Sequence, residues 1–338
     1  MITLSIAGWT IAVDHFPPWS PIAQNVVILT PTPTQAITLT PIPTQAPAPT
    51  PTPTPTPRFG LATYYVGGGT YGICSDGANI WVTIAARNTV SKLRASDGSL
   101  VGTYAVGAYP VAVCFDGANI WVANSGAQAG SVASVSKLRA SDGASLGTYT
   151  VGDYPKAICF DGANIWVVNS DSNNVTKLRA SDGASLGTYT VGDYPKAICF
   201  DGANIWVANS SGVSGTVSKL RASDGASLGT YTVGRNPSGI CFDGANIWVT
   251  SSRNDTVSKL RASDGASLGT YAVGDQPEGV CFDGANIWVT NAVSGTVSKL
   301  RASDGAFLGT YTVGTFPQAI CFDGANIWVA HSDSVTKL

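Results

Sequence analysis

One nine-residue phrase constrains this chain more than anything else in it: Cys-Phe-Asp-Gly-Ala-Asn-Ile-Trp-Val at residues 114–122. It returns at 159–167, 199–207, 241–249, 281–289 and 321–329, and at 74–82 with Ser75 in place of Phe. The cysteines at 74, 114, 159, 199, 241, 281 and 321 are 40, 45, 40, 42, 40 and 40 residues apart. A period in this range is the mark of a solenoid or a ring of repeated sheets.

The unit has no helical period. It holds four short β-rich runs separated by turn residues. In the second copy these are Val111–Phe115, Asn119–Asn124, Val135–Arg139 and Leu146–Val151, here lettered A to D. Asp116-Gly117 joins A to B and Asp142-Gly143 joins C to D. Asp-Gly suits tight hairpins because glycine takes positive φ freely and aspartate tolerates it. Leucine ladders and helical repeats are absent, which excludes leucine-rich and ankyrin folds. Four antiparallel strands at this period make one blade of an all-β propeller. The seventh copy ends at Val335-Thr336-Lys337-Leu338, with no strand D after it. Residues 61–67 (Leu-Ala-Thr-Tyr-Tyr-Val-Gly) match the D strand at 228–234 and precede the first copy. The expected fold is therefore a seven-bladed propeller over 59–338, closed where strand 61–67 completes the C-terminal blade and removes a free sheet edge.

Two segments precede it. Residues 1–29 begin with the apolar run MITLSIAGWTIAV, too short to span a bilayer as a helix. They read as a leader, a partial signal or anchor segment, or unstructured chain. Residues 30–58 are a Pro/Thr tract ending in TPTPTPTPR. Such a tract buries no core and extends as polyproline II, the composition of a stalk. Secretion or display at the cell surface is the expectation, with an intracellular linker as the alternative.

Charged residues are only 12% of the chain and the formal net charge is -2, so nothing attracts a phosphate backbone and nucleic acid is not an expected partner. The seven cysteines occupy one place per unit, which reads as a small buried apolar residue rather than a disulfide framework. The repeated tryptophans sit mid-strand B and read as core.

The charges sort by face. Of 21 acidic residues, thirteen are Asp of the Asp-Gly turns. Seven more, Asp153, Asp171, Asp193, Asp255, Asp275, Glu278 and Asp333, fall in D–A or B–C connections. In an antiparallel blade the A–B and C–D turns share one face of the disc, and the B–C and D–A loops share the other. One face is therefore nearly constant and the opposite face varies. Tyr71, Val111, Lys156, Lys196, Ser238, Glu278 and Gln318 enter strand A, the innermost, and are expected to ring the channel mouth. Tyr109, Tyr154, Tyr194 and Phe316 stand outside that ring, with Arg235 and His331 on neighbouring connections. Rigid scaffolds place recognition on loops, and tyrosines are good contact residues. These positions form the candidate binding surface, and drift of exposed loops after duplication is the competing explanation. His331 with Asp333 offers the one nucleophilic-triad arrangement worth weighing. No His/Cys cluster has metal-ligand spacing, so no metal, cofactor or catalytic residue is assigned.

The pattern Asp-Gly-x-x-Ile-Trp-Val-Ala-Asn, then Val-Ser-Lys-Leu, then Gly-Thr-Tyr-x-Val-Gly, resembles YVTN/YncE-like and NHL-like bacterial propellers, and also virginiamycin B lyase-like propellers. The resemblance covers 61–338 and implies the fold. It implies unlike activities, since these families host several. In the lyases, a histidine and acidic residues gather around magnesium near the ring axis. The domain here has one histidine, His331, and one glutamate, Glu278, on different blades, so no such set is carried over. The expectation is a non-catalytic monomeric binding scaffold for a protein or glycan ligand, without a transmembrane span. The alternative is a lyase- or hydrolase-type enzyme with its site at the channel mouth.

Overall fold

The computed structural model describes residues 61–127, 130–211 and 214–338, and the backbone of 2–6 and 9–13. Ile2–Ile6 and Trp9–Val13 pair as a two-stranded antiparallel sheet, a small unit of its own within the expected leader. The expected stalk, 30–58, lies outside the described residues.

The second unit consists of seven four-stranded antiparallel sheets, each in the order A-B-C-D. In the second blade the strands are Pro110–Phe115, Asn119–Asn124, Ser134–Arg139 and Ser145–Thr150. The blades begin at Thr70, Pro110, Pro155, Pro195, Pro237, Pro277 and Pro317, numbered one to seven. Each innermost strand lies against the next, and that of blade seven lies against that of blade one. Strand Ala62–Tyr65 pairs with Ser334–Lys337, in the register Ala62 with Lys337 and Tyr65 with Ser334. The N-terminal strand thus completes the last blade.

The core sits between blades. Each hydrophobic cluster combines the tryptophan face of one sheet with the Ile/Val face of the next, as Trp121, Ala123 and Val135 do with Ile158, Ile165 and Val167. Closure repeats the arrangement with Trp328 and Val335 against Ile73, Ile80 and Val82. The tryptophans are core, buried to 0% exposure except Trp288 at 7%.

Two polar devices recur around the ring. In the A–B turn, Asp116 Oδ1 accepts the Ala118 and Asn119 amides at 2.9 and 2.6 Å, and Oδ2 accepts the Trp121 indole N–H at 2.7 Å. The buried indole therefore keeps its hydrogen bond, and the turn residue that sets the hairpin also orients the core. The second device is the strand C lysine. Lys177 is buried, with Nζ 4.9 Å from the Trp166 ring centroid. It donates to the Ala222 and Ser223 carbonyls of the next blade at 2.6 and 3.1 Å. Lys92, Lys137, Lys219 and Lys259 make the same latch, as does Lys337 to Ala95 and Ser96 of blade one. The C–D turn glycine is required for a stated reason. Gly143 has φ +74, and a Cβ there would lie 2.0 Å from the Tyr104 ring of the preceding blade.

The A–B carboxylates make stability pH-dependent. Burial alone would push Asp116, Asp161, Asp201, Asp243, Asp283 and Asp323 up, but donors from tryptophan, asparagine and backbone outweigh it and hold them below the usual range. A carboxyl depressed on folding contributes stability above its unfolded value, and that contribution is lost as pH falls through the folded one. The melting temperature is expected to be insensitive to these groups down to about pH 5 and to fall steeply below about pH 4. A scan by circular dichroism checks this, and a midpoint unchanged at about pH 2.5 would contradict it.

Candidate functional site

The D–A loops share one backbone shape, and three of them are held by side-chain hydrogen bonds from the preceding blade. The residue before the first proline of strand A has positive φ in six blades: Tyr109 (55°), Tyr154 (54°), Tyr194 (48°), Asn236 (54°), Gln276 (54°) and Phe316 (53°). Blade one uses Gly69 there, at φ +79°. A bulky residue in the left-handed region is costly and persists only when its surroundings impose it. In three of the six the preceding blade does so. Asn88 Oδ1 accepts the Tyr109 amide at 2.8 Å, Asn173 Oδ1 accepts that of Tyr194 at 2.8 Å, and Asp255 Oδ1 accepts that of Gln276 at 2.9 Å. The Tyr109 and Tyr194 side chains are therefore presented from a rigid backbone.

On the mouth side, the Tyr71 and Tyr109 hydroxyls are 3.0 Å apart and their rings 5.7 Å. That hydrogen bond, together with burial and the proximity of Tyr154, pushes the Tyr71 phenol up to about 12. Lys156 Nζ lies 4.5 Å from the centre of its neighbour's ring, Tyr154. Lys196 donates to Asn236 Oδ1 at 2.9 Å, an oxygen that also accepts the Ser210 hydroxyl. Burial lowers the Lys196 ammonium, Glu278 opposes that, and Lys156 and Arg253 reinforce it. Burial raises Glu278, against the pull of Lys196, Gln276, Ser238 and Lys156. The ion pairs found among the described residues, Arg94–Asp97 through Arg301–Asp304, join strand C to its own C–D turn, and none joins Lys196 to Glu278. The mouth thus gathers an arc of tyrosines on blades one to three, two lysines on blades three and four, and a glutamate on blade six.

The remaining candidates are placed differently. Tyr194 is 60% exposed. Phe316, at 59%, walls a shallow depression of about 330 Å³ with Val293 and Thr315. Gln318 is half-buried on strand A, and Arg235 is exposed on its loop. His331 is a correction. It is not on an exposed loop but is the last residue of strand B, 6% exposed, with Nε2 2.7 Å from the Thr336 hydroxyl. It replaces the buried asparagines Asn124, Asn169, Asn209 and Asn291, which bond to strand C hydroxyls in the same way. The cysteines are a second correction. All seven are free and half-buried rather than buried, because strand A borders the axis and only one side of the thiol packs on the next blade. Burial still pushes every thiol up, so none is an activated nucleophile. Asn236 and Arg253 join the site and were not foreseen. Asn236 stands where three other blades carry tyrosine, and that departure was the available signal.

A magnesium site of the lyase-like kind does not fit these residues. His331 is turned into its own blade, and among the described residues no three His, Cys, Asp or Glu side chains converge to hold a metal.

No protein-family model matches the chain, and no curated protein matches it in sequence. Solved structures do match in shape. The hydrazine synthase of Kuenenia stuttgartiensis is similar at 18% identity and a TM-score of 0.71, over 80% of this chain and 96% of that one. A streptogramin B lyase is similar at 20% identity and a TM-score of 0.70, over 82% of this chain and 96% of that one. Identities this low speak for architecture alone, and with the closed ring of seven A-B-C-D sheets they establish what the chain is: a seven-bladed β-propeller.

Proposed function

We propose that this propeller is a non-catalytic binding scaffold, secreted or held at the cell surface, that takes a protein or glycan ligand at the mouth on its loop face. The observation that supports it best is the convergence of half-buried, unlike side chains there: Tyr71, Tyr109 and Tyr154 beside Lys156 and Lys196, with Glu278 across the axis. Aromatic faces backed by a rigid loop lose little entropy on contact, and a partly desolvated lysine holds an anionic group more strongly than a free one. The test replaces Tyr154, Lys156, Tyr194 and Lys196 with alanine together and compares both proteins by pull-down and on a glycan array. Retained ligands are expected to bind the variant at least about tenfold more weakly, a loss of about 1.4 kcal/mol. Identical partners and affinities for the two proteins would defeat the reading.

One observation favours a second reading, an enzyme at the same mouth. Burial moves Lys196 down and Glu278 up, which brings an amine and a carboxyl closer to proton-transfer range. Turnover that survives Tyr154→Ala but is lost in both Lys196→Met and Glu278→Gln would decide for it.

A further inference from the structure

The constant face has a use of its own. Between blades three and four, Asp161, Asn164 and Lys177 of one blade and Phe200, Gly202, Arg221 and Ser223 of the next line an open groove of about 510 Å³. The equivalent groove between blades two and three, about 370 Å³, has Asp116, Asn119 and Lys137 facing Phe160, Gly162 and Ser181. The same residues recur in the three other grooves between blades one and six, so Phe115, Phe160, Phe200, Phe242 and Phe282 are the aromatic walls of five grooves. We infer that these repeated inter-blade grooves are binding sites for neutral saccharide, used together by a polymeric glycan.

The chemistry of the lining selects that class. Lys177 is fully engaged by two carbonyls and the Trp166 ring. Arg221 is paired through Nη1 to Asp224 at 2.9 Å, and Asp161 balances the second positive charge. The groove has no net charge to attract phosphate or sulfate. It offers a half-buried phenyl ring beside hydrogen-bonding groups that the protein does not consume. The half-exposed Arg221 spends Nη1 on Asp224. Asn164 spends its amide N–H groups on Asp161, and its Oδ1 and the Ser223 hydroxyl have no protein partner among the described residues. A pyranose has that pair of surfaces, an apolar C–H face for the ring and a rim of hydroxyls. An open groove binds one sugar weakly, but linked sites raise overall affinity by about 10²–10⁴-fold when the ligand spans them.

The ring contains its own controls. Between blades seven and one the aromatic wall is Ser75. Between blades six and seven the described residues include no C–D turn, and among them Lys299 makes no carbonyl latch. This inference does not rest on the loop-face reading. The experiment uses the full chain in calorimetry and affinity electrophoresis against neutral oligosaccharides of the gluco-, manno-, xylo- and chito- series and their polymers, with dextran sulfate and inorganic phosphate as charged arms. Each of Phe115, Phe160, Phe200, Phe242 and Phe282 is changed to serine, singly and together, the residue blade one already carries. Millimolar binding of one neutral series is expected, with the polymer at least about 100-fold tighter. Each single variant should lose one site, and the combined variant should lose polymer binding. Single variants decide the matter if the combined one does not fold. No neutral series bound, preference for the charged arms, or stoichiometry unchanged in the single variants would overturn it.

Discussion

Removing residues 59–67 from the full chain is expected to lower the melting temperature by about 10 °C or more. The deletion takes away the strand that pairs with Ser334–Lys337. It also takes Tyr64, whose ring stacks on Trp328 with centroids 5.7 Å apart, and Val66, whose amide donates to the Asp333 carbonyl at 3.0 Å. Tyr64 packs over Gly98 of the C–D turn of blade one, so the same strand ties the last blade to the first. Loss of one aromatic and one aliphatic anchor costs roughly 5 kcal/mol, and a domain of this size shifts about 2 °C per kcal/mol. The exposed edge of Ser334–Lys337 would also invite association, which light scattering reads directly. A deletion variant that melts with the parent protein would show that the ring does not depend on this strand.

Lys177→Met is expected to destabilise the fold by about 3 kcal/mol, because a buried and a part-buried carbonyl of the next blade lose a charged donor. Lys299→Met is expected to cost less than about 1 kcal/mol. Lys299 sits at the same place in its blade and over the same kind of ring, with Nζ 4.5 Å from the Trp288 centroid, but makes no carbonyl latch among the described residues. The pair separates the latch from the cation–π contact, since both variants lose the latter. Chemical denaturation of the two measures the difference. Equal losses would assign the stabilisation to the ring contact and not to the bridge between blades.

The blades themselves were legible because β-rich runs without a helical period recur between turns that demand particular chemistry. Asp116-Gly117 and Asp142-Gly143 mark both hairpins, and the observed strands differ from the expected ones by a residue at a few ends. Closure was legible because a strand D lies at 61–67 and a blade lacks one. Of the candidate site, the loops were legible but their meetings were not. Tyr71 with Tyr109, and Lys196 with Asn236, are residues 38 and 40 apart in the chain. They touch only because neighbouring innermost strands converge. His331 reads as a polar residue near a loop, and only the strand B–C pairing shows it turned inward to Thr336. Half-exposure of the cysteines was hidden for the same reason, since a period cannot say how much of a side chain the next blade covers.

By itself, the sequence determined the number of blades, the order of strands, the closing strand and the division into a constant and a variable face, because each is a matter of local period and turn chemistry counted along the chain. Only the tertiary structure decided what passes between blades: the lysine latches, the tyrosine arc, the Lys196–Glu278 confrontation and the grooves walled by phenylalanine. Those contacts depend on the spacing and tilt of sheets around an axis, which the packing of tryptophan faces against Ile/Val faces sets.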